Sequence, residues 1–202
     1  MYMNTNRLAT ILFFILFSGI LPAQVSHQTH ENLDSLKQSL KTVQQDTTRC
    51  NILNALIEAE TDDNIWPNYN NELKAISERN LKKSSPDHPL YRFYTKILSD
   101  ALNNEAYLAN LQGDIPKALE KYKQSLLLAE KAGDKKGLAY VLNNLGSLYQ
   151  YQGEIQKALE FYFKSLDIHK EVKDELGTAE ALNNIGLVYN DKKEYKKALM
   201  NY

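Results

Sequence analysis

The residues of this chain best equipped for chemistry are four histidines, one cysteine and a short acidic run, and their spacing serves no reaction. His27 and His30 fall in a polar stretch, His88 stands between Pro86 and Pro89, and His169 sits in an amphipathic segment. No pair therefore has metal-ligand spacing on one ordered element. Cys50, within CNILNALIEAE, reads as a small buried apolar residue, with a reactive or intermolecular thiol as the alternative. Being alone, it forms no internal disulfide. Glu58, Glu60, Asp62 and Asp63 lack the alternate-residue ligands and glycine of a calcium loop and read as a solvated helix end. There is no P-loop, no nucleophile elbow and no serine or cysteine in recognisable order with a histidine. The chain is expected to be no enzyme and to need neither metal nor cofactor. Catalysis would have to reside in a domain outside these residues.

Composition narrows the class. With 202 residues, 43 % hydrophobic and 24 % charged, the chain can bury a core and is neither disordered nor fibrous. Its net charge of −1, or −2 once Arg7 is lost with the leader described next, offers no basic excess for nucleic acid or an anionic membrane surface. Residues 1–23 have the layout of a secretory signal peptide: a cation at Arg7, an apolar run from Leu8 to Phe17 continuing to Ile20, then Leu21, Pro22 and Ala23. An apolar core of about 13 residues is shorter than the ~18 to 20 that span a bilayer, which favours a cleaved leader over an uncleaved anchor.

Behind the leader, residues 24–47 are polar, with a weak helical pattern at Leu33, Leu36, Leu40 and Val43, and read as a linker with a partly formed helix. Residues 48–89 read as a degenerate helical pair. Its first helix carries Cys50, Leu53, Leu56 and Ile57, the stretch from Thr61 to Pro67 breaks it, and its second carries Tyr69, Leu73, Ile76 and Leu81.

Beyond Pro89 the sequence repeats. Leu102-Asn103-Asn104 recurs as Leu142-Asn143-Asn144 and as Leu182-Asn183-Asn184, an offset of 40 residues shared by Gly113 and Gly153, by Ala118, Ala158 and Ala198, and by Tyr122, Tyr162 and Tyr202. Asp134 with Asp174 and Gly137 with Gly177 keep the same register. Each unit holds two amphipathic stripes. In the second unit helix A presents Leu142, Leu145, Gly146 and Tyr149, and helix B presents Ile155, Ala158, Leu159, Tyr162 and Leu166. Gly153 between them suits a left-handed helix-closing residue. The units are expected over 90–141, 142–181 and 182–202, the last truncated.

Leu142, Leu145, Gly146, Tyr149, Ala158, Tyr162 and Ser165 resemble the tetratricopeptide repeat signature in a 40-residue variety, and Leu182, Ile185, Gly186, Tyr189, Ala198 and Tyr202 repeat it. The resemblance covers about Leu98 to Tyr202 and implies an all-α fold, a right-handed superhelical solenoid of antiparallel helical hairpins. Gly146 and Ala158 are expected to let helices A and B approach closely while Tyr149 and Tyr162 fill the surrounding space. The first unit departs from the pattern at Glu105, Ala109 and Pro116. A third unit complete in length would run past Tyr202, so either a longer protein or a frayed last hairpin is expected.

The resemblance further implies a peptide-binding groove on the concave surface lined by helix A. By position it comprises Asp100, Asn103, Tyr107 and Asn110, then Tyr140, Asn143, Ser147, Gln150 and Tyr151, then Glu180, Asn183, Leu187 and Asn190. These residues lie on the helix face not used by the core stripe. Asn103, Asn143 and Asn183 would form a ladder of amides able to donate to and accept from an extended backbone. The alternative is that the asparagine pairs solvate the helix and tie neighbouring repeats together. Phe163, beside Phe161 and Tyr162, is either a packing variation or part of an exposed contact patch.

The order of leader, Asp46-Thr47-Thr48-Arg49 segment, degenerate pair and repeats resembles the exported N-terminal region of bacterial membrane signalling proteins of histidine kinase or DNA-binding regulator type. The expectation is a periplasmic or extracytoplasmic protein-binding module, sensory or scaffolding, with a free-standing secreted scaffold or assembly chaperone as the alternative. Its partner is a protein or peptide rather than nucleic acid. Membrane attachment would come only from an uncleaved leader or a span beyond Tyr202.

Overall fold

The structure is a computed structural model that describes residues 22–200. The leader expected over 1–23 lies outside the described residues except for Pro22 and Ala23, as does Tyr202. The described residues form helices and no strand: α1 (Pro22–Thr42), α2 (Asp46–Ala59), α3 (Trp66–Lys83), α4 (Tyr91–Leu111), α5 (Ile115–Ala132), α6 (Lys135–Tyr151), α7 (Ile155–Glu171), α8 (Glu175–Asp191) and α9 (Tyr195–Leu199). They divide into two compact units, with the boundary inside α3 after Ile76.

In the first unit α1 packs on α2. Residues 24–47 are thus not a linker but one continuous helix through Thr42. No Gly or Pro interrupts residues 23–47, and Leu33, Leu36 and Leu40, at helical spacing, are half-buried. Arg49 fastens the end of α1 by donating from Nη1 to the Leu40 carbonyl at 2.8 Å, one of the orphan acceptors of a helix C-terminus. Its Nε pairs with Glu72 on α3. Cys50, Leu53, Leu56 and Ile57 are buried on α2 as the sequence pattern predicts.

The acidic run is not simply solvated. Glu60 is buried beside Lys37 at 3.5 Å, and its Oε1 accepts from the Thr61 and Asp62 N–H groups at 3.1 and 3.3 Å. Asp63 Oδ1 accepts from the indole of buried Trp66 at 2.8 Å. These acids build the turn into α3, where Pro67 falls in the first helical turn, a position that needs no N–H.

The second unit is three hairpins, α4/α5, α6/α7 and α8/α9. Helix A begins at Lys135 and Glu175, so the expected borders at 142 and 182 fall inside helices. Leu-Asn-Asn marks the middle of helix A, whereas the start is set by Asp134 and Asp174 in the N-cap position. Asp134 accepts from the Gly137 N–H at 3.1 Å. The first and second hairpins turn through Gly113 and Gly153, at φ +77° and +76°. In each the N–H three residues past the helix reaches back to a carbonyl of its last turns, Asp114 to Ala109 and Glu154 to Tyr149, both at 2.9 Å.

Within the second hairpin a Cβ on Gly146 would lie 2.6 Å from the Tyr162 ring, so the ring occupies the space a side chain would need. No hairpin completes its core alone. Tyr122 and Ala118 pack with Val141, Leu145 and Leu148 of the next helix A, and Tyr162 and Ala158 pack with Ala181, Ile185 and Val188 of the one after. Buried serines let the helices close further. Ser165 donates to the Ala139 carbonyl at 2.8 Å, and Ser125 donates to that of Ser99 at the same distance. Glu105, the departure from an apolar pattern, is met by Lys121 of α5 at 3.8 Å.

A Cβ on Gly153 would meet nothing within 4 Å, so substitution there acts through backbone conformation alone. Gly153→Ala is expected to destabilise by about 1 to 2 kcal/mol, the cost of a left-handed alanine, in urea unfolding followed by circular dichroism.

Candidate functional site

Successive A helices touch, α4 against α6 and α6 against α8, so their outward faces form one row. The 40-residue offset sets Asp100, Tyr140 and Glu180 side by side in that row, then Asn103, Asn143 and Asn183, then Tyr107, Ser147 and Leu187, then Asn110, Gln150 and Asn190.

The asparagines do not form the expected ladder of open amides. Asn143 is only 3 % exposed, and its Oδ1 accepts from Asn184 Nδ2 at 3.1 Å. Asn103 Oδ1 accepts from Asn144 Nδ2 at 3.0 Å. The first asparagine of the first two pairs therefore accepts from the second asparagine of the next hairpin, which ties the A helices together. An amide is suited to this because it satisfies a neighbour in a partly dehydrated seam where an unpaired polar group would be costly. Of the three expected ligand amides, Asn183 is exposed on α8.

Ser147 and Gln150 are also partly committed. The hydroxyl of Tyr162, buried beneath them, lies 3.0 Å from Ser147 Oγ and donates to Gln150 Oε1 at 2.8 Å. Burial pushes this phenol up to about 12, so it remains an O–H donor at neutral pH. Asp100 is held by Lys96 at 2.6 Å, and Tyr140 lies edge-on to His169 at 4.8 Å. Tyr107 is half-buried, as is Asn110, whose Oδ1 is buried with no hydrogen-bond partner. Glu180 is half-buried, Leu187 and Asn190 are exposed, and Tyr151 is 75 % exposed at the end of α6. Phe163 is exposed on α7, while Phe161 stacks on Tyr149 at 5.3 Å.

The expected groove residues thus share one face, but its exposed part is Tyr151, Asn183, Leu187 and Asn190, with Tyr107, Tyr140 and Glu180 half-buried beside them and Asn143 withdrawn into the seam. Sequence reasoning missed the second asparagines as donors, although their constant offset was visible. It also missed a cluster of Lys136, His169 and Asp174, whose signal was a histidine standing where the preceding repeat has Ala129. Among the described residues no group of three or more His, Cys, Asp or Glu side chains is placed to hold a metal ion, and no helix is long and apolar enough to cross a membrane.

An all-helical solenoid of antiparallel hairpins, with A helices aligned and Gly146 closing on Tyr162 in the second hairpin, defines the class. The tetratricopeptide repeat family model matches residues 98–171 and 141–202, just over half of the chain, and the chain belongs to that family. Among solved structures it is similar to BtubC (BKLC) from P. vanneervenii, with TM-score 0.59 and 17 % identity over 87 % of this chain and 68 % of that one. It is also similar to a Signal Transduction ATPase with Numerous Domains protein with a tetratricopeptide repeat sensor from Pyrococcus horikoshii, with TM-score 0.57 and 18 % identity. That match covers 89 % of this chain but 27 % of the other. A comparison with curated protein sequences found no match. The repeats mark the chain as a protein–protein interaction module.

Asn143 and Asn183 are separable by substitution. Asn143→Ala strands the Asn184 amide and is expected to cost about 1 to 3 kcal/mol in urea unfolding. Asn183→Ala, at an exposed position, should change stability by less than about 0.5 kcal/mol.

Proposed function

We propose that the chain holds an extended peptide or protein segment across the A-helix face of α4, α6 and α8, as the sensory or scaffolding part of an exported signalling protein. The observation that carries this reading is the mixed character of the open face. Tyr107, Tyr140 and Leu187 offer apolar contact, and Asn183, Asn190 and Glu180 offer hydrogen bonds, on helices whose relative positions are already fixed by amide links. A pre-arranged surface loses little ordering entropy when it binds. The exported setting is supported by the signal-peptide layout of residues 1–23. A sensory role is supported by analogy with the Pyrococcus horikoshii protein, whose tetratricopeptide repeats are described as a sensor.

The test is a peptide-library screen on the full chain, followed by affinity measurement on Leu187→Asp, Tyr107→Ala and Leu127→Asp. Leu127 is exposed on α5, away from the A helices. The first two variants are expected to weaken binding about tenfold or more each, with Leu127→Asp unchanged. Equal loss in all three, or loss only in Leu127→Asp, would rule the A-helix face out.

A further inference from the structure

The junction between the second and third hairpins contains a buried group that the first junction lacks. His169, on α7, is 1 % exposed and lies directly over Gly177 of α8, where an added Cβ would come within 2.1 Å of its Nδ1. That nitrogen is 3.0 Å from Asp174 Oδ2, while Asp174 Oδ1 is 3.2 Å from Lys136 Nζ of α6. The Tyr140 ring closes the imidazole from the α6 side.

Forty residues earlier the same places hold Ala129, Gly137, Asp134, Lys96 and Asp100. There Asp134 caps α6 through the Gly137 N–H, and Lys96 lies 3.0 Å from it. Asp174 makes no corresponding side-chain cap on α8. Its Oδ2 and His169 Nδ1, both fully buried, face each other at 3.0 Å. The imidazole gives Asp174 a buried neighbour that Asp134 lacks, Ala129 standing in its place. Glu180, half-buried on α8, replaces the Tyr140 of the preceding repeat, and the charges of Asp174 and Lys136 act on it.

We propose that this junction is a proton-linked joint, in which His169 and Glu180 take up protons with opposite effects on how firmly α8 docks against α6 and α7. The charged groups facing His169 are Asp174 from the α8 N-cap and Lys136 from α6. The same two face Glu180.

The signs follow from burial. Burial holds the imidazole below its usual 6.5, with Asp174 opposing, so the stability gained by keeping it neutral is present above pH 6.5 and lost as pH falls below. Burial, helped by Asp174, pushes Glu180 up to about 7 from 4.5. Its contribution is full below pH 4.5 and lost as pH rises to about 7. Between pH 4.5 and 6.5 the two oppose each other, so each is visible when the other is removed. Tyr140 and Glu180 belong to the A-helix face, so the joint also reaches that surface. This last step rests on the proposed function, whereas titration of the joint is measured without any ligand.

The experiment compares urea unfolding of the full chain between pH 4.5 and 7.5 for His169→Ala, which installs the residue of the first junction, for Glu180→Gln, and for the double variant as the common background. Relative to that background, Glu180→Gln should become easier to unfold below pH 6.5, by up to about tenfold in the unfolding constant per pH unit, and His169→Ala harder, with the same limit. The His169 ring resonances of the unsubstituted chain, identified by their loss in His169→Ala, should titrate below the usual 6.5. Single variants that track the background within about twofold, or a His169 ring that titrates at or above 6.5, would overturn the proposal. Should a variant fail to fold, the imidazole titration decides alone.

Discussion

The constraint on which the rest depends is the close approach of helices A and B within a hairpin. The Tyr162 ring stands where any side chain on Gly146 would begin, and that single contact sets the spacing of α6 and α7. It also carries the phenol through the hairpin to Ser147 and Gln150, so the core tyrosine helps form the edge of the A-helix face. Because each tyrosine cluster is completed by the next helix A, the surface exists only as a property of the stack.

Polar links then refine what apolar packing starts. Buried Ser125 and Ser165 satisfy helix A carbonyls inside the hairpins, and the asparagine pairs join one helix A to the next. Each such bond contributes on the order of 1 kcal/mol, and their larger effect is directional, since a stranded amide costs more than a formed one gains. The A-helix face is thereby held in one arrangement before anything binds it.

Much of this was legible in the sequence. The 40-residue offset gave the hairpins, the small residue at 146 gave the A–B contact, and Gly153 gave the turn. Three features escaped because they depend on what lies across a seam. Residues 24–47 looked like a linker because three leucines make a faint stripe, and only docking on α2 and the reach of Arg49 to Leu40 hold them as a helix. Asn143 looked like a groove ligand because a helical wheel does not show that Asn184 covers it. The repeat frame was set from the Leu-Asn-Asn motif, although Asp134 and Asp174, in the N-cap position, mark where helix A begins.

The A-helix face acts as a binding surface only if the hairpins are packed as tightly as the Gly146 contact requires, and unfolding of Gly146→Val in urea measures that tightness most directly. Helix propensity alone would make valine more stable than glycine by about 0.4 kcal/mol. The packing described here predicts the opposite sign, a loss of about 1 to 3 kcal/mol as the tyrosine ring is displaced. A variant as stable as the original chain, or more so, would contradict the account.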